Sequence, residues 1–269
     1  MALTEDFPEI FDISKMPPIL YHYTTVPGLF GIVEKQAIWA TDFRFLNDGS
    51  EIFHTFEHFP NAEKVIKNLR DAYENLIGHP NYSIVSFSES SDDLAMWGRY
   101  SNDSGLCLGF KREDIEKLVV KEDHLQGSVI GKCLYDQIKK NEVITQIMKK
   151  YDPANKADLL YALLFIAPFL KNETFQHERE WRVVFKYNKE AIDKYGKPVF
   201  RSTQNVIIPY MHASILDKDS NNFKLSHIEK IILSPKLGRT PNAEMMIRNF
   251  LECYDIRLNI LSKSKSSIV

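Results

Sequence analysis

The chain has 269 residues, of which 44% are hydrophobic, so it is long for one domain, short for two full ones, and able to bury a sizeable core. Its 34 basic and 36 acidic residues nearly balance, which excludes a global field that would draw the whole chain to nucleic acid or a membrane. Acidic residues stand where a secretory signal would have a basic head, no stretch approaches the ~20 apolar residues that span a bilayer, and the three cysteines lack pairwise spacing. We therefore expect a soluble, reduced, cytoplasmic chain.

Short strands and helices follow one another in the N-terminal half. Hydrophobic periodicity predicts strands at 19–24, 38–41, 82–88 and 105–111, and helices at 28–35, 51–77 and 92–100. Thr25 is the expected N-cap of the first of these helices, with Pro27 near its first turn.

The C-terminal half is richer in strands. The pattern predicts strands at 127–135, 178–187, 205–211, 228–233 and 257–261, helices at 136–151, 153–170 and 242–253, and a frayed tail at 262–267. Strands do not alternate one for one with helices, which favours an α+β fold over a doubly wound parallel one. No repeat or linker divides the chain, so we expect a single domain over 1–269.

Three of the predicted strands have a polar face, because alternate side chains of a strand point to opposite sides. These faces consist of His22 and Thr24, of Ser86 and Ser88, and of Glu178, Glu180 and Arg182. For any one strand, the solvated side of a half-buried sheet is a sufficient explanation. Three faces of different chemistry together are what a functional cleft would need.

Several segments resemble a bacterial family that is known only as a domain of unknown function. They read LYHYTT at 20–25, AIWAT at 37–41, FLNDGSE at 45–51, SFSE at 86–89 leading to MWGRY at 96–100, and EREWR at 178–182. The resemblance extends from about residue 19 to residue 187.

A more remote resemblance links these motifs to a class of enzymes. A strand with Tyr-His-x-Thr that leads into a helix, followed much later by Glu-x-Glu, is similar to ADP-ribosyltransferases, particularly the kind that modifies DNA. This resemblance implies a split β-sandwich of the ADP-ribosyltransferase type, with helical insertions near 51–77 and 136–172. It implies transfer of ADP-ribose from NAD to a macromolecule with release of nicotinamide. Nucleic acid, including RNA, is the favoured acceptor, and protein stays open.

A biological role follows from that chemistry. Modification of a macromolecule would be toxic, growth-arresting or antiviral, and a toxin of this kind requires a neutralising antitoxin as partner. The near-neutral net charge gives the nucleic-acid acceptor no support of its own.

The resemblance also implies roles for individual residues. Cleavage of the nicotinamide–ribose bond builds positive charge on the ribose, which a nearby carboxylate stabilises. Glu180 is expected in this role, with Glu178 orienting the nucleophile. The expected NAD contacts are His22 on the ribose or nicotinamide amide, Arg44 on the pyrophosphate, and Ser86 and Ser88 in the middle of the cleft. Thr24 shares the strand face of His22, whereas Tyr21 and Tyr23 take the opposite face, and Tyr23 would stack on a ring of NAD only if it points into the cleft instead.

Simpler explanations stay open for some of these residues. His22 also fits a core histidine, Arg44 a surface cation, and Glu178 with Arg182 an ordinary salt bridge. Glycine-rich phosphate loops are absent from the sequence, which disfavours a Rossmann or kinase-like nucleotide site.

Two other functions also stay open. Residues 54–58 spell HTFEH, the inverzincin pattern, in which His54 and His58 would bind zinc and Glu57 would act as general base. A third ligand would have to come from a distant residue such as Glu116 or Glu142, so we favour an amphipathic helix without metal. The second alternative is a non-catalytic sensor or interaction module that keeps the fold.

Overall fold

The structure, a computed structural model, describes residues 3–46, 82–120, 125–151, 156–187, 199–202, 206–217, 222–223, 225 and 227–266. The chain forms two compact units that interleave along the sequence. Unit 1 consists of Met1–Lys15, Thr41–Ile84 and His124–Met211, and unit 2 of Met16–Ala40, Val85–Asp123 and His212–Val269.

The described residues contain eight α-helices, twelve strands and several short 3-10 helices. The α-helices are α1 (Leu3–Asp6), α2 (Pro8–Phe11), α3 (Val26–Lys35), α4 (Leu94–Ser101), α5 (Arg112–Ile115), α6 (Gln137–Lys150), α7 (Lys156–Ile166) and α8 (Ala243–Glu252). The strands are β1 (Ile19–Thr24), β2 (Ile38–Asp42), β3 (Tyr82–Ser88), β4 (Leu106–Lys111), β5 (Leu118–Val120), β6 (Leu125–Lys132), β7 (Glu180–Tyr187), β8 (Val199–Ser202), β9 (Ile207–Asp217), β10 (Asn222–Phe223), β11 (His227–Leu233) and β12 (Arg257–Lys263). None of these helices has the length and apolar character that crossing a membrane requires.

Unit 1 is built on the antiparallel pair β6–β7, with helices around a common core. Trp181 pairs with Lys132 and Phe185 with Ser128, after a register shift near the start of β6. Antiparallel pairing also joins β2 to β3 and β8 to β9. The core draws on α1, α2, α6, α7 and β7, and its buried members are Leu3, Phe7, Ile10, Phe11, Phe43, Tyr82, Ile84, Leu134, Val143, Ile144, Ile147, Tyr151, Ala162, Leu163, Ile166, Ala167, Phe169, Leu170 and Val184.

The close approach of one 3-10 helix to β6 positions the segment that follows it. A Cβ atom at Gly131 would lie 2.7 Å from the Phe169 ring, so a side chain at this position of β6 would displace the 3-10 helix Ala167–Phe169. Pro168 stands inside this short helix and lacks the N–H that a continued α-helix would need. The chain therefore leaves α7 at Ile166, and the N–H of Lys171 then bonds to the backbone oxygen of Leu134, just after β6.

Unit 2 contains a sheet with the order β3–β1–β4–β11–β12. Its pairs are antiparallel except for β11 with β12, which is parallel. The same unit pairs β5 and β10 antiparallel with the C-terminal part of β9. A small cluster lies where α4 packs on β1, and its buried members are Tyr23, Met96, Trp97, Cys107 and Ile232.

The mixed α+β class and the mostly antiparallel pairing agree with the sequence analysis. The Thr25 side chain accepts the Gly28 N–H at 3.1 Å, which confirms the predicted N-cap of α3. The predicted helical insertion near 136–172 contains α6 and α7, whereas 51–77 lies outside the described residues.

Several predicted boundaries were wrong. The predicted strand 178–187 begins at Glu180, because Glu178 ends the 3-10 helix Glu173–Glu178 and Arg179 adopts a left-handed φ of 44°. Glu178 therefore does not share a strand face with Glu180. Residues 262–265 of the tail that was expected to fray are held in place, since β12 continues to Lys263 and both Ser264 and Lys265 bond to Asp92. The strand predicted to end at 135 ends at Lys132, and the one predicted to end at 211 continues to Asp217.

Candidate functional site

Among the residues predicted to bind NAD, His22 contacts the backbone of the neighbouring strand within unit 2. Its Nδ1 lies 3.0 Å from the backbone oxygen of Ser86, on the neighbouring strand β3. A carbonyl oxygen only accepts, so Nδ1 carries the proton in this contact. The ring also meets Phe87 edge-on, with 6.0 Å between centroids. β1 and β3 thus fix both the orientation and the tautomer of His22.

Tyr23 and Thr24 are packed more tightly than His22. The Tyr23 ring meets Trp97 edge-on at 4.8 Å, and its hydroxyl accepts the N–H of Asp93 at 3.1 Å. Burial raises the pKa of Tyr23 well above its ordinary value. The Thr24 hydroxyl occupies the space that a Cβ at Gly28 would need, only 2.1 Å away, so the start of α3 lies directly on Thr24. These contacts give both residues a role in packing.

The two serines of β3 differ in burial. Ser88 is buried, and its hydroxyl accepts the Ser90 N–H at 2.9 Å, which shapes the turn after the strand. Ser86 is partly exposed, and its backbone oxygen is the group that His22 contacts.

Arg44 belongs to unit 1 and lies in the 3-10 helix Phe43–Phe45, but its side chain is outside what the structure describes. His54, Glu57 and His58 also fall outside the described residues. Within the described ranges, no group of three or more His, Cys, Asp or Glu side chains is placed to hold a metal ion.

Unit 1 contains both predicted catalytic glutamates, and they lie in a buried ionic cluster. The cluster consists of Lys171, Glu178, Glu180 and Arg182. Lys171 Nζ donates to Glu178 Oε2 and, at 2.8 Å, to Glu180 Oε2. Arg182 donates from Nε to Glu180 Oε1 at 2.8 Å and from Nη2 to Oε2 at 3.0 Å. The side chains are between 2% and 7% exposed.

The charges within the cluster compensate one another. Two carboxylates face two cations, and buried charges are tolerated when they are paired in this way. The third nitrogen of the Arg182 guanidinium, Nη1, donates to the backbone oxygen of Pro168 at 2.5 Å. Glu178 bonds to Lys171, and Arg182 bonds to Glu180, so the Glu178–Arg182 salt bridge considered from the sequence is replaced by two other pairs.

Opposing effects set the ionisation of Glu180. Burial alone would raise its pKa, since a carboxylate is desolvated there. The Coulombic attraction of Arg182 and Lys171, together with the hydrogen bonds that they donate, outweighs burial and holds the pKa well below the ordinary value of 4.5. Glu180 is therefore a carboxylate at neutral pH.

Residue patterns did not predict Lys171 as part of this cluster, and they placed Arg182 on a polar strand face or in a salt bridge with Glu178. Lys171 follows the apolar run 159–170 and precedes Asn172 and Glu173, so it reads as the first residue of a polar loop. Lys171 is nevertheless 1% exposed, because it follows the 3-10 helix Ala167–Phe169 and its N–H bonds to Leu134 O after β6. The sequence signal for such a cluster was the Glu-x-Glu pair itself, because two carboxylates that become buried together require cations nearby.

Two of the segments used for the family resemblance lie at the ends of one matched stretch. A family described as a protein of unknown function (DUF2971) matches residues 96–183. The match covers less than half of the chain and includes the whole ionic cluster of unit 1. No curated protein and no solved structure matches the chain. A domain of unknown function is thus present at 96–183, while the likeness to ADP-ribosyltransferases stays a prediction.

Proposed function

We propose that the chain is an NAD-dependent ADP-ribosyltransferase of the split β-sandwich type, in which Glu180 is the carboxylate that stabilises the ribose cation. The observation that carries this proposal is the state of Glu180: a carboxylate held ionised in a buried position at the first residue of β7. Loss of nicotinamide leaves positive charge on the ribose ring, and a fixed carboxylate in a site of low dielectric stabilises such charge strongly.

The geometry also favours Glu180 over Glu178 for this role. Among the described residues, Glu180 Oε1 accepts one donor, the Nε of Arg182, and a carboxylate oxygen has capacity for a second. Glu178 lies at the end of a 3-10 helix, is 1% exposed and bonds to Lys171. We therefore assign the contact with the ribose hydroxyl to Glu180 Oε1, and the proposed reaction requires the surrounding side chains to open for the substrate.

The acceptor in this proposal is a nucleic acid, with RNA included, as the resemblance to DNA-modifying transferases suggests. Attachment of ADP-ribose to a nucleic acid blocks its use as a template or adaptor. The proposed role is thus that of a toxin or antiviral defence effector whose activity an antitoxin restrains.

One observation favours a second candidate, a non-catalytic sensor or interaction module. All four members of the cluster are buried and bonded to one another, which is also how a purely structural ion cluster looks. In that case Glu180 stabilises unit 1 and contacts no substrate.

The deciding experiment measures nicotinamide release from NAD by the purified chain, with and without RNA, DNA and cell extract. Glu180→Gln removes the charge at nearly constant shape, and Glu180→Asp keeps the charge but withdraws the carboxylate by one methylene. Glu173→Gln, an exposed change in the 3-10 helix before β7, is the matched control. Circular dichroism and thermal melting establish that each variant is folded.

We expect nicotinamide release that depends on an acceptor, persists in Glu173→Gln and is lost in both Glu180 variants. Label in the ADP-ribose part of NAD should appear on the acceptor. If folded wild-type protein releases no nicotinamide under any condition, the transferase is refuted and the non-catalytic module is favoured. If label accumulates on protein and not on RNA or DNA, the nucleic-acid acceptor is refuted.

A further inference from the structure

Lys171 is a buried lysine that joins the two glutamates of the cluster. Lysine is rarely buried unless it is paired. Here Nζ donates to Oε2 of Glu178 and to Oε2 of Glu180, and it lies 5.1 Å from the centroid of the Phe175 ring. An ammonium group over an aromatic face gains further stabilisation in a dry site. The ammonium is thus held from several sides.

Backbone hydrogen bonds fix the position of Lys171 relative to Glu180. Both residues are tied to the same three-residue segment, 133–135. The Lys171 N–H donates to Leu134 O at 3.0 Å, the Cys133 N–H donates to Glu180 O at 2.8 Å, and the Glu180 N–H donates to the Tyr135 hydroxyl at 2.8 Å. The separation between Nζ and the carboxylate is therefore set by the fold as well as by charge.

A second buried lysine supports the first. Lys140, on α6, is 3% exposed, and its Nζ donates to the backbone oxygen of Lys171 at 2.9 Å. A bond from an ammonium group to a carbonyl is charge-assisted and resists displacement of that backbone. The backbone of Lys171 is therefore held at its N–H by Leu134 and at its oxygen by Lys140.

The two oxygens of Glu180 are used unequally. Oε2 accepts from Lys171 Nζ, from Arg182 Nη2 and, at 3.7 Å, from Cys133 Sγ. Oε1 accepts from Arg182 Nε alone among the described residues. Arg182 bonds to both oxygens and does not distinguish them, whereas the Lys171 ammonium is the charged donor that bonds to Oε2 and not to Oε1. Oε1 is therefore the oxygen with remaining acceptor capacity, and the Lys171 bond to Oε2 contributes to that choice.

We infer that Lys171 is a positioning residue for the proposed reaction: by holding Oε2, it turns the Glu180 carboxylate so that Oε1 is the oxygen that receives the ribose hydroxyl. This inference rests on the proposed function. It assigns to Lys171 no contact with NAD. Its effect on the reaction is exerted through Glu180.

The test compares Lys171→Met, which removes the ammonium at similar length, with Lys171→Arg, which keeps the charge. Lys139→Met, an exposed change on α6, is the matched control. Nicotinamide release is measured as kcat and KM across the pH range in which each full-length variant is folded. Misplacement of a reacting group by about 1 Å can cost about 100-fold in rate, so we expect a loss of about this size in kcat for Lys171→Met, with little change in KM.

The pH profile separates positioning from a structural role. Lys171 is one of the groups that lower the pKa of Glu180, so its removal should move the acid limb of kcat/KM to higher pH. Lys171→Arg should leave the acid limb in place and recover part of kcat. An acid limb that Lys171→Met leaves unmoved, or a loss of kcat that only follows the loss of folded protein, would overturn the positioning role.

The outcomes distinguish this inference from the function on which it rests. Wild-type protein that releases no nicotinamide removes the proposed function and the role of Lys171 together. Active wild-type protein with an unmoved acid limb in Lys171→Met removes the role of Lys171 alone. If Lys171→Met does not fold, Lys171→Arg decides: its guanidinium differs in reach and shape, so a wild-type kcat would overturn positioning and a reduced kcat at an unmoved acid limb would support it.

Discussion

Replacement of Arg182 by methionine should destabilise unit 1 by about 3 kcal/mol. Arg182 is 7% exposed at its side chain and bonds to both oxygens of Glu180, at 2.8 and 3.0 Å. Removal of one partner from a buried ion pair costs ~3–5 kcal/mol, because the other charge stays buried and uncompensated. Lys171 still compensates Glu180 in this variant, which places the expected loss at the lower end of that range.

Urea denaturation with hydrogen–deuterium exchange is the appropriate assay. A chain with two compact units need not unfold in one step, so amide exchange in β6 and β7 should be followed beside the global transition. Arg248→Met, an exposed change on α8 in unit 2, is the control and should cost less than about 0.5 kcal/mol. Glu180→Gln combined with Arg182→Met should cost less than the sum of the single changes, since the two residues share one interaction.

A loss below about 1 kcal/mol for Arg182→Met would refute this reasoning. It would mean that solvent reaches Glu180 freely or that Lys171 alone compensates it. Additive losses in the double variant would show that the Arg182–Glu180 contact contributes no coupling, and the assignment of Oε1 and Oε2 would then lose its basis.

Three further predictions concern acid stability, the C-terminal segment and the cap of α3. Because the folded pKa of Glu180 lies below 4.5, its contribution to stability is present above pH 4.5 and is lost as the pH falls toward the folded value, so acid titration of unfolding should be shallower for Glu180→Gln than for wild type. Asp92 accepts from Trp97 Nε1 at 2.8 Å, Ser264 Oγ at 2.5 Å and the Lys265 N–H at 2.7 Å, so Asp92→Asn should cost about 2 kcal/mol in urea denaturation and speed amide exchange at Lys265. Thr25→Ala should cost about 1 kcal/mol in urea denaturation, and Thr25→Ser should cost less.

Each of these predictions has a result that contradicts it. An equal acid slope in Glu180→Gln and wild type would mean that the pKa of Glu180 is not lowered by folding. Unchanged exchange at Lys265 in Asp92→Asn would show that Asp92 does not hold the segment after β12. Equal stability of Thr25→Ala and wild type would show that the Thr25 hydroxyl adds nothing to the start of α3.

Much of the local structure followed from residue patterns. The strand 19–24, the Thr25 cap and the helices near 92–100, 136–151 and 242–253 all depend on neighbours within a few residues, where periodicity and capping chemistry act directly. Tyr23 belongs to the cluster around Trp97 and Tyr21 packs against that cluster, which agrees with strand alternation.

The environment of the predicted catalytic pair did not follow from such patterns. Alternation placed Glu178, Glu180 and Arg182 on one strand face, but the left-handed Arg179 takes Glu178 off the strand. A single residue in that conformation changes the path of the chain between the 3-10 helix and β7, without any strong compositional signal. Strand alternation therefore assigned Glu178 to the wrong element, whereas Glu180 does begin the strand.

Local chemistry in the chain is sufficient to specify the α+β class and most elements, and the sequence pattern singles out the Glu-x-Glu pair at 178–180. Packing between distant segments determines which cations neutralise that pair. Lys171 reaches Glu180 because both residues hydrogen-bond to the segment 133–135, and Lys140 on α6 bonds to Lys171. Such contacts join residues that are far apart in the chain, so they produce no periodic pattern in the amino-acid sequence. Burial then determines how strongly the paired charges interact, and burial exists only once the chain has folded.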